Sequence, residues 1–89
     1  MTYEVVVSEP VKTLLEGLHE SDRRRSRELA LLLLRLEKDA RPDGSRRLAA
    51  ETKSRSGNEE RVWETAGFRI AYRIVDARRV VEVGIVAEV

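Results

Sequence analysis

At 89 residues the chain is long enough for one small domain spanning residues 1–89, in which folding hides only about 60–65% of the surface that the extended chain exposes. Hydrophobic residues make up 42% and charged residues 37%, too apolar a mix for a disordered chain, and the absence of cysteine excludes disulfide frameworks, cysteine zinc sites and thiol nucleophiles. A formal net charge of +1 conceals an asymmetry: residues 21–47 carry nine Lys and Arg against five Asp and Glu, whereas residues 1–20 carry Lys12 against Glu4, Glu9, Glu16 and Glu20.

In chain order, Tyr3–Val7 is β-branched and aromatic and reads as a strand. Its flanks lack the basic start, long apolar stretch and cleavage site of a signal peptide, so the chain is read as mature from Met1 and cytoplasmic. Ser8 stands at an N-cap position with Glu9 and Pro10 in the first turn. Val11, Leu14, Leu15 and Leu18 then follow at the spacing of an amphipathic helix that closes near His19 and Glu20. The lone His19, at that helix end, reads as a capping or surface residue.

Ser21 is placed to cap a second helix reaching about Asp39, with Leu29, Leu32, Leu33, Leu36 and Ala40 as its buried stripe and Leu31 and Leu34 partly off it. The apolar run from Leu29 to Leu34 is six residues, far short of the roughly 20 that span a bilayer, so no membrane association is expected. Arg23, Arg24, Arg25 and Arg27 occupy the first turns of this helix, where the dipole disfavours cations. Arginine supplies 14 of the 17 basic residues and grips phosphate with a fixed fork, so these residues read either as a solvated face or as a phosphate-binding surface.

Arg41-Pro42-Asp43-Gly44-Ser45 is a turn by composition, followed by Arg46, Arg47 and Leu48, and Glu51 to Glu60 reads as a mobile polar loop. From Arg61 the period becomes two. Arg61–Thr65, Phe68–Val75 and Arg79–Val86 read as antiparallel strands joined at Ala66-Gly67 and at Asp76-Ala77-Arg78. The expected fold class is α+β in the order β-α-α-β-β-β, with two helices packed on one face of a small, mainly antiparallel sheet.

Alternation assigns Phe68, Ile70, Tyr72 and Ile74 to the helix-covered face and Arg69 and Arg73 to the open one. With Trp63, Val81, Val83 and Ile85 inward, Val62, Glu64, Glu82 and Gly84 face out, and the open face carries Glu64, Arg69, Arg73 and Glu82. Such a set either stabilises a phosphorane-like transition state while a carboxylate accepts a proton, or forms cross-strand ion pairs that keep the face soluble. The chain holds no glycine-rich phosphate loop, H-E-x-x-H motif or nucleophile elbow.

The segment Asp39-Ala40-Arg41-Pro42-Asp43-Gly44-Ser45-Arg46-Arg47-Leu48, together with Ala66-Gly67-Phe68-Arg69-Ile70-Ala71-Tyr72-Arg73-Ile74-Val75-Asp76, resembles the RelE/ParE superfamily of toxins from bacterial type II toxin–antitoxin modules. The resemblance covers nearly the whole chain, and the run Gly67 to Tyr72 is its most specific part. It implies a ribosome-dependent mRNA endonuclease without cofactor or metal, partnered by a cognate antitoxin, the ribosome and mRNA. Arg69 matches an active-site arginine of the family, and Arg73 and Glu64 complete a reduced catalytic set in which Arg69 holds the scissile phosphate and Glu64 accepts a proton. Arg23, Arg24, Arg25, Arg27, Arg46, Arg47, Lys53, Arg55 and Arg61 would bind RNA. The chain departs from the family pattern at Val62 and Glu64, where the family often has Lys or Arg, and in Val86-Ala87-Glu88-Val89. Two other readings stay open: a ParE-like inhibitor that acts by binding DNA gyrase, and a non-catalytic member that binds only antitoxin.

Overall fold

The computed structural model describes residues 2–48 and 58–89. Strand β1 (Glu4–Val7) leads into helices α1 (Glu9–Ser21) and α2 (Arg23–Lys38), and these are followed by strands β2 (Ser45–Arg47), β3 (Glu59–Thr65), β4 (Phe68–Val75) and β5 (Val80–Glu88). A 3₁₀ turn over Asp76–Arg78 joins β4 to β5. The strands form one sheet in the order β1-β5-β4-β3-β2, antiparallel except where β1 runs parallel to β5. Because β1 and β2 are the two edges, the α1–α2 hairpin must carry the chain across the whole sheet, and so it covers one face. No helix among the described residues is long and apolar enough to cross a membrane.

Burial follows the expected alternation in β4. Phe68, Ile70 and Ile74 are fully buried and Tyr72 nearly so, packed with Val11, Leu18, Leu29, Leu33 and Leu36 from the helices and with Trp63, Val81 and Val83 from the flanking strands. Burying each such side chain contributes about 1.5–3 kcal/mol, which makes this cluster the main stabiliser of the domain. Tyr72 satisfies its hydroxyl by donating to the Ala40 carbonyl at 2.8 Å, and burial raises its pKa. Leu31 and Leu34 are more than half exposed, as their place off the stripe implied.

Several local expectations change. Ser21 belongs to α1, and Asp22 caps α2 by accepting from the Arg25 N–H at 3.2 Å; a carboxylate at that position also offsets the unfavourable cations of the first turn. Ser8 precedes α1 without a side-chain cap, and its hydroxyl instead donates to the Gly84 carbonyl at 2.7 Å. Arg46 and Arg47, read as following a turn, form the edge strand β2, while Glu59 and Glu60, read as loop, begin β3. The largest correction concerns Ile85. Tyr72 pairs with Val83 but Ala71 pairs with Ile85, so Gly84 is an extra residue, a β-bulge that reverses the facing of the remainder of β5. Ile85 therefore points outward, 65% exposed, and Val86 packs against the core in its place. Val62 lies on the open face as expected but is buried there.

Candidate functional site

The open face is built by strand register. Glu64 stands opposite Arg69, and Arg73 lies between Glu60 on β3 and Glu82 on β5. Arg69 donates to Glu64 at 3.1 Å, while Arg46 of β2 reaches the other oxygen of the same carboxylate at 3.5 Å. Arg73 donates to Glu60 at 3.2 Å and lies 3.8 Å from Glu82. The structure thus places Glu64, Arg69, Arg73 and Glu82 on one face as the strand alternation implied, and adds Arg46 and Glu60 to the set.

Two unequal halves result. Around Glu64 there are two guanidiniums and one carboxylate, a formal charge of +1; around Arg73 there are one guanidinium and two carboxylates, a formal charge of −1. The side chains involved are 38–68% exposed, so each pair contributes at most about 1 kcal/mol to stability and is easily exchanged for an incoming anion or donor. At the Arg73 half lies a groove of about 350 Å³ lined by Glu60, Arg73 and Glu82, with Leu48, Ala71 and Ile85 as its apolar part.

The other basic residues are scattered. Arg23, Arg24 and Arg27 are exposed on α2, on the helix side of the sheet, and Arg24 makes only a loose 3.7 Å contact with Glu28. Arg25 is engaged. Its guanidinium donates to Glu28 at 2.6 Å and to the carbonyls of Ala66 at 2.7 Å and Gly67 at 3.2 Å, and it sits 4.0 Å from the centre of the Phe68 ring. Ala66 and Gly67 both have positive φ, 53° and 81°, so Arg25 clamps a tight turn that fixes how β3 meets β4. Arg47 is exposed at the sheet edge opposite Arg61. Arg61 is largely buried, donating to the Ser45 hydroxyl at 2.9 Å and carbonyl at 3.2 Å and pairing with Glu59. Lys53 and Arg55 lie outside the described residues.

A second cluster was not anticipated. Arg41 contacts Glu59 and Asp76 at 3.0 Å each, Asp76 accepts from the Tyr3 hydroxyl at 2.7 Å, and Glu59 also pairs with Arg61. Burial alone would raise the Glu59 pKa, but hydrogen bonds from Arg41 and Arg61 outweigh it and the net shift is downward. The Tyr3 hydroxyl, with Arg41, lowers that of Asp76, and the Glu59 hydrogen bond raises that of Arg41. The cluster ties the start of β1, the turn after α2, the start of β3 and the 3₁₀ turn into one end of the molecule. Its sequence signal was faint, since the residues are far apart in the chain. Among the described residues no group of His, Asp and Glu is arranged to hold a metal ion.

A scan of protein-family models finds no match to the chain, and a search of curated proteins finds none either. Solved structures do match. A chain of the archaeal RelE–RelB complex from Pyrococcus horikoshii superposes with a TM-score of 0.69 at 19% identity, over 99% of this chain and 96% of that one. An arginine-to-alanine mutant of the Escherichia coli toxin RelE in its free state superposes with a TM-score of 0.66 at 18% identity, over 99% of this chain and 84% of the other. With the helix hairpin, the strand order and the arginine-bearing open face already in view, these superpositions establish that the chain has the RelE toxin fold.

Proposed function

We propose that the chain is the toxin of a type II toxin–antitoxin module and acts as a RelE-like, ribosome-dependent mRNA endonuclease. The observation that carries this reading is the exposed pairing of Arg69 with Glu64, seconded by Arg46, at the position of the fold where the sequence resemblance implies an active-site arginine. The superposition on a chain of a RelE–RelB complex supports a cognate antitoxin as partner.

In the proposed reaction the 2′-hydroxyl of one nucleotide attacks the adjoining phosphorus and the P–O5′ bond breaks, leaving a 2′,3′-cyclic phosphate and a 5′-hydroxyl. Arg69 neutralises the charge that develops on the non-bridging oxygens, with Arg73 assisting. Glu64 accepts the 2′ proton, and solvent supplies the proton that the leaving oxygen takes. Each Glu64 oxygen is engaged by a guanidinium, so the carboxylate is freed for proton transfer when Arg46 and Arg69 turn to the phosphate. Arg23, Arg24, Arg27 and Arg47 are exposed and able to meet ribosomal RNA phosphates. The RNA contacts assigned to Arg25 and Arg61 require each to leave the protein partners that now hold it.

The test is growth arrest and ribosome-dependent cleavage with wild type, Arg69→Ala and Arg69→Lys. Full activity in the alanine variant overturns the assignment. One observation favours a binding-only toxin, directed at DNA gyrase or held solely by its antitoxin: the three open-face arginines are matched by three carboxylates, leaving no net positive charge. Inhibition of supercoiling by intact protein that cleaves no mRNA is the result that selects the gyrase reading.

A further inference from the structure

We infer that Arg25 is a positioning residue for the open-face pair: from the helix-covered side of the sheet it holds the Ala66-Gly67 turn, and through that turn it sets where Arg69 and Glu64 stand. The inference rests on the endonuclease reading of that pair and deepens it. It also takes Arg25 out of the RNA-facing set, since an arginine in this role stays with its protein partners.

The turn needs holding. Thr65 pairs with Phe68, so the loop between β3 and β4 is Ala66 and Gly67 alone, and both have positive φ, 53° and 81°. Hairpin loops of that kind normally carry asparagine or glycine at the first place, because a Cβ there crowds the backbone. Ala66 carries one. Arg25 supplies an outside restraint: one amino group donates to the Ala66 carbonyl at 2.7 Å and the other to the Gly67 carbonyl at 3.2 Å. A Cβ on Gly67 would stand 3.0 Å from the guanidinium, so the glycine is what lets Arg25 come this close. The Val89 N–H also reaches the Gly67 carbonyl, at 2.9 Å, and steadies the β4 side of the turn; the β3 side, with Ala66, is left to Arg25.

Arg25 is itself fixed. Its backbone N–H donates to Asp22 and its guanidinium to Glu28 at 2.6 Å, its side chain is 25% exposed, and Leu29, one turn on, is fully buried in the core. Its guanidinium lies 4.0 Å from the centre of the Phe68 ring. Phe68 and Arg69 leave β4 on opposite faces, so what seats Phe68 also aims Arg69. Arg69 and Glu64 stand opposite each other one pair back from the turn. At 54% and 38% exposure they are little constrained by packing, and the backbone beneath them sets their spacing. A twist or slip at the turn changes that spacing, and a displacement of about 1 Å at a reacting centre can cost about 100-fold in rate.

The experiment compares Arg25→Ala, Ala66→Asn and the two together in the full chain, each confirmed folded at the assay temperature by circular dichroism. In single-turnover cleavage on saturating ribosomes, Arg25→Ala should lose about 10- to 100-fold in rate, with ribosome affinity and its salt dependence unchanged. Ala66→Asn alone should cleave like wild type. Added to Arg25→Ala, it should restore most of the rate, because Asn-Gly forms this turn unaided. Amide hydrogen exchange should quicken in Arg25→Ala at residues 64–69 and not in the rest of β4. A wild-type rate in Arg25→Ala, a loss carried by ribosome affinity alone, or a loss that Ala66→Asn leaves in place overturns the inference, the second of these returning Arg25 to RNA contact. Wild-type protein that cleaves nothing on ribosomes sinks the endonuclease reading, and the exchange pattern then decides the role of Arg25: quickening spread evenly over the chain, or none, overturns it.

Discussion

Two clusters built from paired arginines and carboxylates stand in different surroundings in this molecule. At the end of the sheet, Arg41, Glu59, Arg61 and Asp76 knit distant segments together, and the side chains of Glu59 and Arg61 are only 16% and 14% exposed. On the open face, Arg46, Arg69 and Arg73 meet Glu60, Glu64 and Glu82 in the same chemistry at 38–68% exposure. Burial makes the Glu59–Arg61 pair of the first set costly to break, because a charge left behind there has little water to take its partner's place. Exposure makes the second set cheap to rearrange, which is what a site that exchanges an internal ion pair for a substrate needs. The difference can be broken or sharpened by substitution.

The largest effect is expected at Arg69. Arg69→Ala should lower ribosome-dependent cleavage by about 10²–10³, the cost of losing one charge-stabilising donor, while the thermal midpoint stays near wild type because the side chain faces solvent. Arg69→Lys should recover little, since a point charge does not reproduce a bidentate grip. Cleavage assays with parallel melts decide it, and a large loss of stability with unchanged cleavage would move Arg69 into the structural class.

Glu59→Gln should do the reverse. Losing the carboxylate leaves Arg41 and Arg61 with a weaker acceptor and should cost about 1.5–3 kcal/mol in denaturant unfolding, with cleavage retained where the fold persists. Acid tests the same cluster. Glu59 and Asp76 have folded pKa values below their ordinary 4.5 and 3.8, so their stabilisation is complete above those values and is lost as pH falls through the lower, folded ones. The acid limb of the stability curve should therefore flatten in Glu59→Gln. Asp76 is mostly exposed and should contribute less.

Arg25→Ala should cost about 1–2 kcal/mol by releasing the Ala66 and Gly67 carbonyls and the Phe68 ring, and Arg25→Lys should restore only part of it. Arg24→Ala, at a nearly fully exposed side chain, should change stability by no more than about 0.5 kcal/mol. Under the ribosome-directed reading it should nevertheless flatten the salt dependence of ribosome binding. Equal effects at Arg24 and Arg25 on either measurement would remove the distinction drawn between these neighbours.

How legible each part was depends on the range of the interactions that set it. The helices, the alternation of β4, the core residues Phe68, Ile70, Tyr72 and Ile74 and the outward facing of Glu64, Arg69 and Arg73 could be read from the sequence, because helical and strand periodicity is a local property that the residues carry themselves. The sequence alone therefore determined the fold class and the face on which Glu64, Arg69 and Arg73 stand. Only the tertiary structure decided that Ser45–Arg47 is an edge strand, that β1 joins β5 in parallel, and that Gly84 bulges and turns Ile85 out, since pairing and register depend on a partner strand far along the chain. It alone also separated the arginines. Arg23, Arg24 and Arg25 are adjacent and chemically identical in sequence, yet one turn of helix points only Arg25 at the Ala66-Gly67 carbonyls, and Arg61 is drawn to Ser45 and Glu59 by the packing of β2 on β3. Whether an arginine is spent on the fold or left for a ligand is set by what the folded chain brings within about 3 Å of it, and no local pattern encodes that distance.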